Sequence, residues 1–127
     1  MKSFFKIVFL FPSLFVFGEP LDNISIWPKD VPGEKKGEVE PEKTIPPEND
    51  GDVLRVSNVS QPSMTIFPGD PKVANQTAVL VCPGGGYNIL AYEHEGIDVC
   101  KWLNSFGVTG VLLKYRVPRR IDREKHE

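Results

Sequence analysis

The chain has 127 residues, 15 basic and 17 acidic, for a net charge of −2. That length holds at most one domain. With no basic stripe and no block of like charge, the composition gives no footing for a nucleic acid or an acidic polymer as partner. The one local basic cluster, Arg119-Arg120 with Arg123 and Lys125, is interrupted by acids and reads as a solvated loop. The two cysteines, Cys82 and Cys100, show no Cys-x-x-Cys or Cys/His spacing, so no metal is expected. Two readings of the pair stay open: a disulfide, or two buried small apolar side chains.

Residues 1–18 read as a secretory signal peptide. Lys2 and Lys6 make a positive start, Ile7 to Phe17 an apolar stretch broken by Pro12, and Val16-Phe17-Gly18 a cleavage region. The apolar stretch is too short to span a bilayer. The expectation is therefore a secreted or periplasmic product with no stable membrane span, an uncleaved interfacial anchor being the alternative. Residues 19–52 follow as a Pro-rich extended arm. Pro20, Pro28, Pro32, Pro41, Pro46 and Pro47 recur among charged residues, which bars a helix or a central strand. Ile26 and Trp27 are its expected anchor on the rest of the molecule.

The remainder, 53–127, carries the patterned segments. Val53-Leu54-Arg55-Val56 and Met64-Thr65-Ile66-Phe67 are strand candidates joined by a turn, expected to pair antiparallel. Pro68-Gly69-Asp70-Pro71 ends the second. Ala78 to Cys82 is apolar without alternation, as for a strand covered on both faces. Glu93 to Phe106 reads as a helix with an apolar stripe of Val99, Trp102, Leu103 and Phe106, and with Gly107 as its left-handed cap. Val108 to Val117 is a further strand, ended by Pro118. Strand, loop, helix and strand in that order imply a parallel pair with a right-handed crossover. The class is α/β.

Between strand and helix stands Pro83-Gly84-Gly85-Gly86-Tyr87. A dinucleotide loop would need a third glycine where Ile89 stands, and an acid where Lys114 and Tyr115 stand. A phosphate loop would need a Gly-Lys-Ser/Thr ending, which is absent. No cofactor is expected. An oxyanion hole fits better: in acyl transfer, backbone N–H groups stabilise the anionic oxygen of the tetrahedral intermediate, and glycine lets the backbone come close. In esterases of the α/β class this loop follows the third strand and often reads His-Gly-Gly-Gly. The other reading is a tight turn with no ligand.

Four segments carry a resemblance: Val81 to Tyr87; His94-Glu95-Gly96; Trp102 to Val108; and Leu113-Lys114-Tyr115-Arg116-Val117-Pro118. Together they resemble the N-terminal half of secreted bacterial α/β-hydrolases of the esterase/lipase-like kind, often labelled acetylxylan esterase or xylanase-associated. Ile26-Trp27-Pro28 with Val31-Pro32-Gly33 is similar to the motif that opens their mature chains. The resemblance implies the front part of an α/β-hydrolase sheet over 53–127. It implies Gly85 and Gly86 as oxyanion N–H donors, Gly84 shaping the turn and Tyr87 lining the acyl pocket, with a small ester or acylated carbohydrate as substrate. Pro83 stands where histidine is common. His94 precedes any nucleophile in chain order, so a capping or loop-fixing role is expected of His94 and Glu95 rather than catalysis.

No G-x-S-x-G nucleophile elbow occurs in the chain, and no acid and histidine follow one in order. His126 stands next to the last residue. Two hypotheses follow. In the first, the chain is the front fragment of a secreted serine esterase, inactive alone, whose Ala78–Cys82 strand has lost a neighbour and leaves an open apolar edge. In the second, it is a secreted binding or structural module whose glycine loop holds an anion.

Overall fold

The computed structural model describes residues 20–34 and 40–117. The signal-peptide reading, the Pro118 strand stop, the basic cluster from Arg119 onward and His126 lie outside the described residues. Among the described residues, seven strands and one α-helix run β1 Leu21–Ser25, β2 Lys43–Ile45, β3 Arg55–Ser57, β4 Ser63–Phe67, β5 Ala78–Val81, β6 Ile89–Leu90, α1 Asp98–Asn104 and β7 Thr109–Lys114. A π-helical turn, Glu93–Ile97, leads directly into α1.

Four strands form the larger sheet in the order β1-β4-β7-β5. β4 lies antiparallel to β1 and to β7, with Thr65 opposite Leu112. β5 runs parallel to β7, with Val81 opposite Leu112. The parallel pair connected through a helix is the arrangement expected from the pattern. Mixed pairing around it, with a single short helix, is compatible with an α/β fold. β4 alternates buried and half-buried positions, so one face packs inward. Phe67, Val81, Cys100 and Leu112 form the core between this sheet and α1.

The second sheet has the order β2-β3-β6. Here the expected hairpin is corrected. The segments 53–56 and 64–67 do not pair with each other: β3 pairs with β2 and β6, while β4 joins the other sheet. The chain changes sheets through Asn58, whose φ of +56° places it in the left-handed region, and through the fully buried Val59. Asn58 tolerates that conformation better than most residues, and its amide donates to Glu40 Oε2 at 2.9 Å and to the Pro41 carbonyl. Val59 joins Val56, Leu90 and Val117 in a second core cluster, and Tyr92 packs against both clusters.

The Pro-rich stretch supplies β1 and β2, both at sheet edges, where proline-flanked strands are tolerated. Its ties are polar as well as apolar. The Ile26 N–H donates to the Pro62 carbonyl, Arg116 Nη2 to the Pro32 carbonyl, and Lys114 Nζ pairs with Glu42 Oε1 at 2.7 Å. Trp27 remains exposed, so β1 pairing and these bonds hold the segment rather than burial of the indole.

Two packing expectations are also corrected. β5 is not covered on both faces: Ala78, Val79 and Leu80 are exposed and only Val81 is buried, because β5 is an edge strand. The helix does not bury the stripe through Trp102 and Phe106. These two are 62% and 55% exposed and stack edge to face on each other. The buried positions are Gly96, Cys100 and Asn104, spaced four apart. Gly107 does adopt φ +73° and closes the helix, with its N–H bonded to the Asn104 carbonyl and the Val108 N–H to the Leu103 carbonyl.

Candidate functional site

The glycine loop leaves the C-terminal end of β5 and returns as β6, so it joins the two sheets. Its shape rests on three successive positive φ angles: Gly85 at +145°, Gly86 at +60° and Tyr87 at +58°. Gly85 could not be replaced without rebuilding the turn, since a Cβ there would lie 2.0 Å from the Ile89 carbonyl oxygen. Its own carbonyl accepts from the N–H groups of Asn88 and Ile89, and the Gly84 carbonyl accepts from Ala91 at 2.9 Å. These bonds close the loop on its acceptor side.

The donor side is open. Among the described residues, the N–H groups of Gly85, Gly86 and Tyr87 donate to no acceptor. Gly86 and Tyr87 are exposed and Gly85 half-buried, so water or a ligand can reach this stretch. Successive free N–H groups on such backbone are a general means of holding an anion. Gly84 differs. Its N–H donates to Glu95 Oε2 at 2.7 Å.

Tyr87 is exposed, and its ring meets Tyr115 edge to face with centroids 6.3 Å apart. The Tyr115 hydroxyl donates to the Pro83 carbonyl at 2.6 Å. Desolvation, then the neighbouring Tyr87, Cys82 and Glu95, push the Tyr115 phenol above its usual value, so it stays a donor at neutral pH. The loop is thus held at Pro83 by a phenol and at Gly84 by a carboxylate.

Tyr115 is the contributor that sequence reasoning did not place against the loop, whereas Glu95, of which a capping or loop-fixing role was expected, bonds the Gly84 N–H. The signal for Tyr115 was its position just past β7, whose register with β5 brings it beside the loop. Glu95 is brought there by the π-helical turn, which sequence periodicity does not reveal. His94 is exposed on that turn. Cys82 is exposed beside the loop and Cys100, on α1, is buried; both are free thiols, so of the two open readings the disulfide is not formed and the buried apolar pair holds for Cys100 alone. Burial raises the Cys100 thiol to about 11.

Among the described residues, no group of histidine, cysteine, aspartate or glutamate is arranged to hold a metal ion. No helix among them is long and apolar enough to cross a membrane. A shallow pocket of about 290 Å³ lies elsewhere, lined by Glu40, Lys43, Ile45, Ser57, Asn58 and Ile89.

No family profile matches the chain, and no solved structure matches it. The chain is similar to an acetylxylan esterase from Xylanibacter ruminicola, 34% identical over 65 residues. The match covers 51% of this chain and 13% of that protein, so the chain corresponds to a small part of its relative's length. That likeness supports a relationship to the esterases.

Proposed function

We propose that the glycine loop is the oxyanion hole of a secreted carboxylic-ester hydrolase acting on small esters or acylated carbohydrate. The Gly85 and Gly86 N–H groups are the donors, and Tyr87 forms the wall of the acyl pocket. One observation carries the reading: these N–H groups, at the end of a parallel strand, have no acceptor among the described residues, while the loop is bonded at the Pro83, Gly84 and Gly85 carbonyls and the Gly84 N–H. The similarity to an acetylxylan esterase supports the substrate class.

An oxyanion hole needs a nucleophile to generate the anion, and the chain contains no G-x-S-x-G elbow. The 127-residue chain alone therefore has only background activity on p-nitrophenyl acetate. Serine-dependent turnover by the purified chain would contradict this. The DNA beyond codon 127 supplies the second test. A G-x-S-x-G in the same or a shifted frame is expected, and the joined product should hydrolyse acetyl esters. In that product, disrupting one loop donor lowers kcat by roughly 10²–10³. A downstream sequence without the elbow, together with a monomeric, cooperatively folding chain, would favour the anion-binding module instead.

A further inference from the structure

The bond between Glu95 and the Gly84 N–H is unusual in its supports. The helix widens at this point. The Ile97 N–H bonds back to the Tyr92 carbonyl and the Asp98 N–H to the Glu93 carbonyl, the spacing of a π-helical turn. Such turns are rare, and they recur at functional sites. The turn is pressed onto the root of the glycine loop. Gly96 is buried, and a Cβ there would lie 2.8 Å from Leu112 Cδ1 and 3.1 Å from Pro83 Cγ. The absence of a side chain at 96 lets the turn sit on Pro83. Glu95 is then delivered to the next residue of the loop, where its carboxylate accepts the Gly84 N–H at 2.7 Å. Glu93, on the same turn, receives the Leu54 N–H on its Oε2 at 3.1 Å and fixes the turn against the chain entering β3.

We propose that Glu95 is a positioning residue for the glycine loop. Its carboxylate fixes the direction of the Gly84 peptide, and through it the path on which the Gly85 and Gly86 N–H groups stand. Gly96 sets the distance, and Tyr115 holds the preceding peptide from the other side through the Pro83 carbonyl. Why the loop must be held so firmly rests on the oxyanion reading; the latch itself does not. A bond to an ionised acceptor is shorter and stronger than a neutral one, which suits an exposed contact that must persist in water.

The test is amide exchange and chemical shift by NMR on the whole chain, in wild type, Glu95→Ala and Glu95→Gln. Glu95→Ala should speed Gly84 N–H exchange by at least about tenfold, as expected on losing a bond to a charged group, with the Leu112 amide unchanged. Glu95→Gln keeps an acceptor oxygen and should hold Gly84 exchange within a few-fold of wild type, while the Gly84 proton moves upfield as the charge is removed. Unchanged Gly84 exchange in a folded Glu95→Ala variant overturns the proposal. If that variant does not fold, an unmoved Gly84 proton in Glu95→Gln overturns it. Sodium acetate is the probe that separates the two readings. In wild type, acetate should shift the Gly85 and Gly86 amides. Their failure to respond while Gly84 depends on Glu95 rejects the oxyanion reading and leaves the latch standing.

Discussion

Asn104 ties three segments with one side chain. Its buried amide donates to the Phe67 carbonyl at the end of β4 and to the Val108 carbonyl before β7, at 2.9 and 3.0 Å. Asn104→Ala strands two acceptors, the bond to one of them buried, and should cost about 1–3 kcal/mol in urea unfolding. Gly96→Ala forces a methyl against Leu112 and Pro83. It should destabilise by about 1–3 kcal/mol and disturb the Gly84 amide as well. The thiols should differ in the same structural terms: iodoacetamide at pH 8 labels the exposed Cys82, whereas Cys100, buried and raised to about 11, reacts only as the protein unfolds. At the acid end, Asp52 is lowered from 3.8 to about 2, chiefly by its hydrogen bond from Arg55 and then by the Val53 and Glu48 N–H groups. A lowered carboxyl stabilises the fold fully above 3.8 and loses that contribution as pH falls through about 2. Asp52→Asn should therefore lower stability by a constant amount at every pH above about 4 and converge on the wild type as pH falls toward about 2, read by urea unfolding across pH.

At the level of elements, the strands and their order through β5, α1 and β7 were legible because β-branched and apolar runs ended at glycine or proline. The helix cap was legible for the same reason: Gly107 follows the last apolar residue directly. The buried face of the helix was not. Apolar periodicity selects Trp102 and Phe106, yet close approach to the sheet favours small residues, so Gly96 and Cys100 face inward and the large rings face out. Asn104 goes inward too, because its amide finds carbonyl partners there. The hairpin failed because β3 finds its partners in β2 and β6, segments of three and two residues, too short to read as strands. β5 stands at the edge of its sheet. Val79 and Leu80, on opposite faces of β5, are 38% and 56% exposed. An unpaired apolar edge invites association. Light scattering should show concentration-dependent assembly of the wild type, suppressed in Leu80→Lys with stability changed by less than about 0.5 kcal/mol.

Across the whole molecule, two small sheets with separate core clusters meet at Tyr92, and the glycine loop spans from one sheet to the other. The loop's glycines were readable from sequence because nothing else combines such close approach with successive positive φ angles. Its supports were readable only in part: a capping or loop-fixing role was expected of Glu95, but its bond to Gly84 and that of Tyr115 to Pro83 depend on a π-helical turn and a strand register. The site is therefore a bonded frame around free donors, and the proposed function requires that those donors hold an oxygen anion. Titration of the ¹⁵N-labelled chain with sodium acetate, followed by amide chemical shifts, tests this most directly. Saturable shifts are expected, concentrated at Gly85 and Gly86, with Gly84 little moved because Glu95 already occupies it. Shifts absent from the loop, or centred on another part of the chain, would contradict the proposed function.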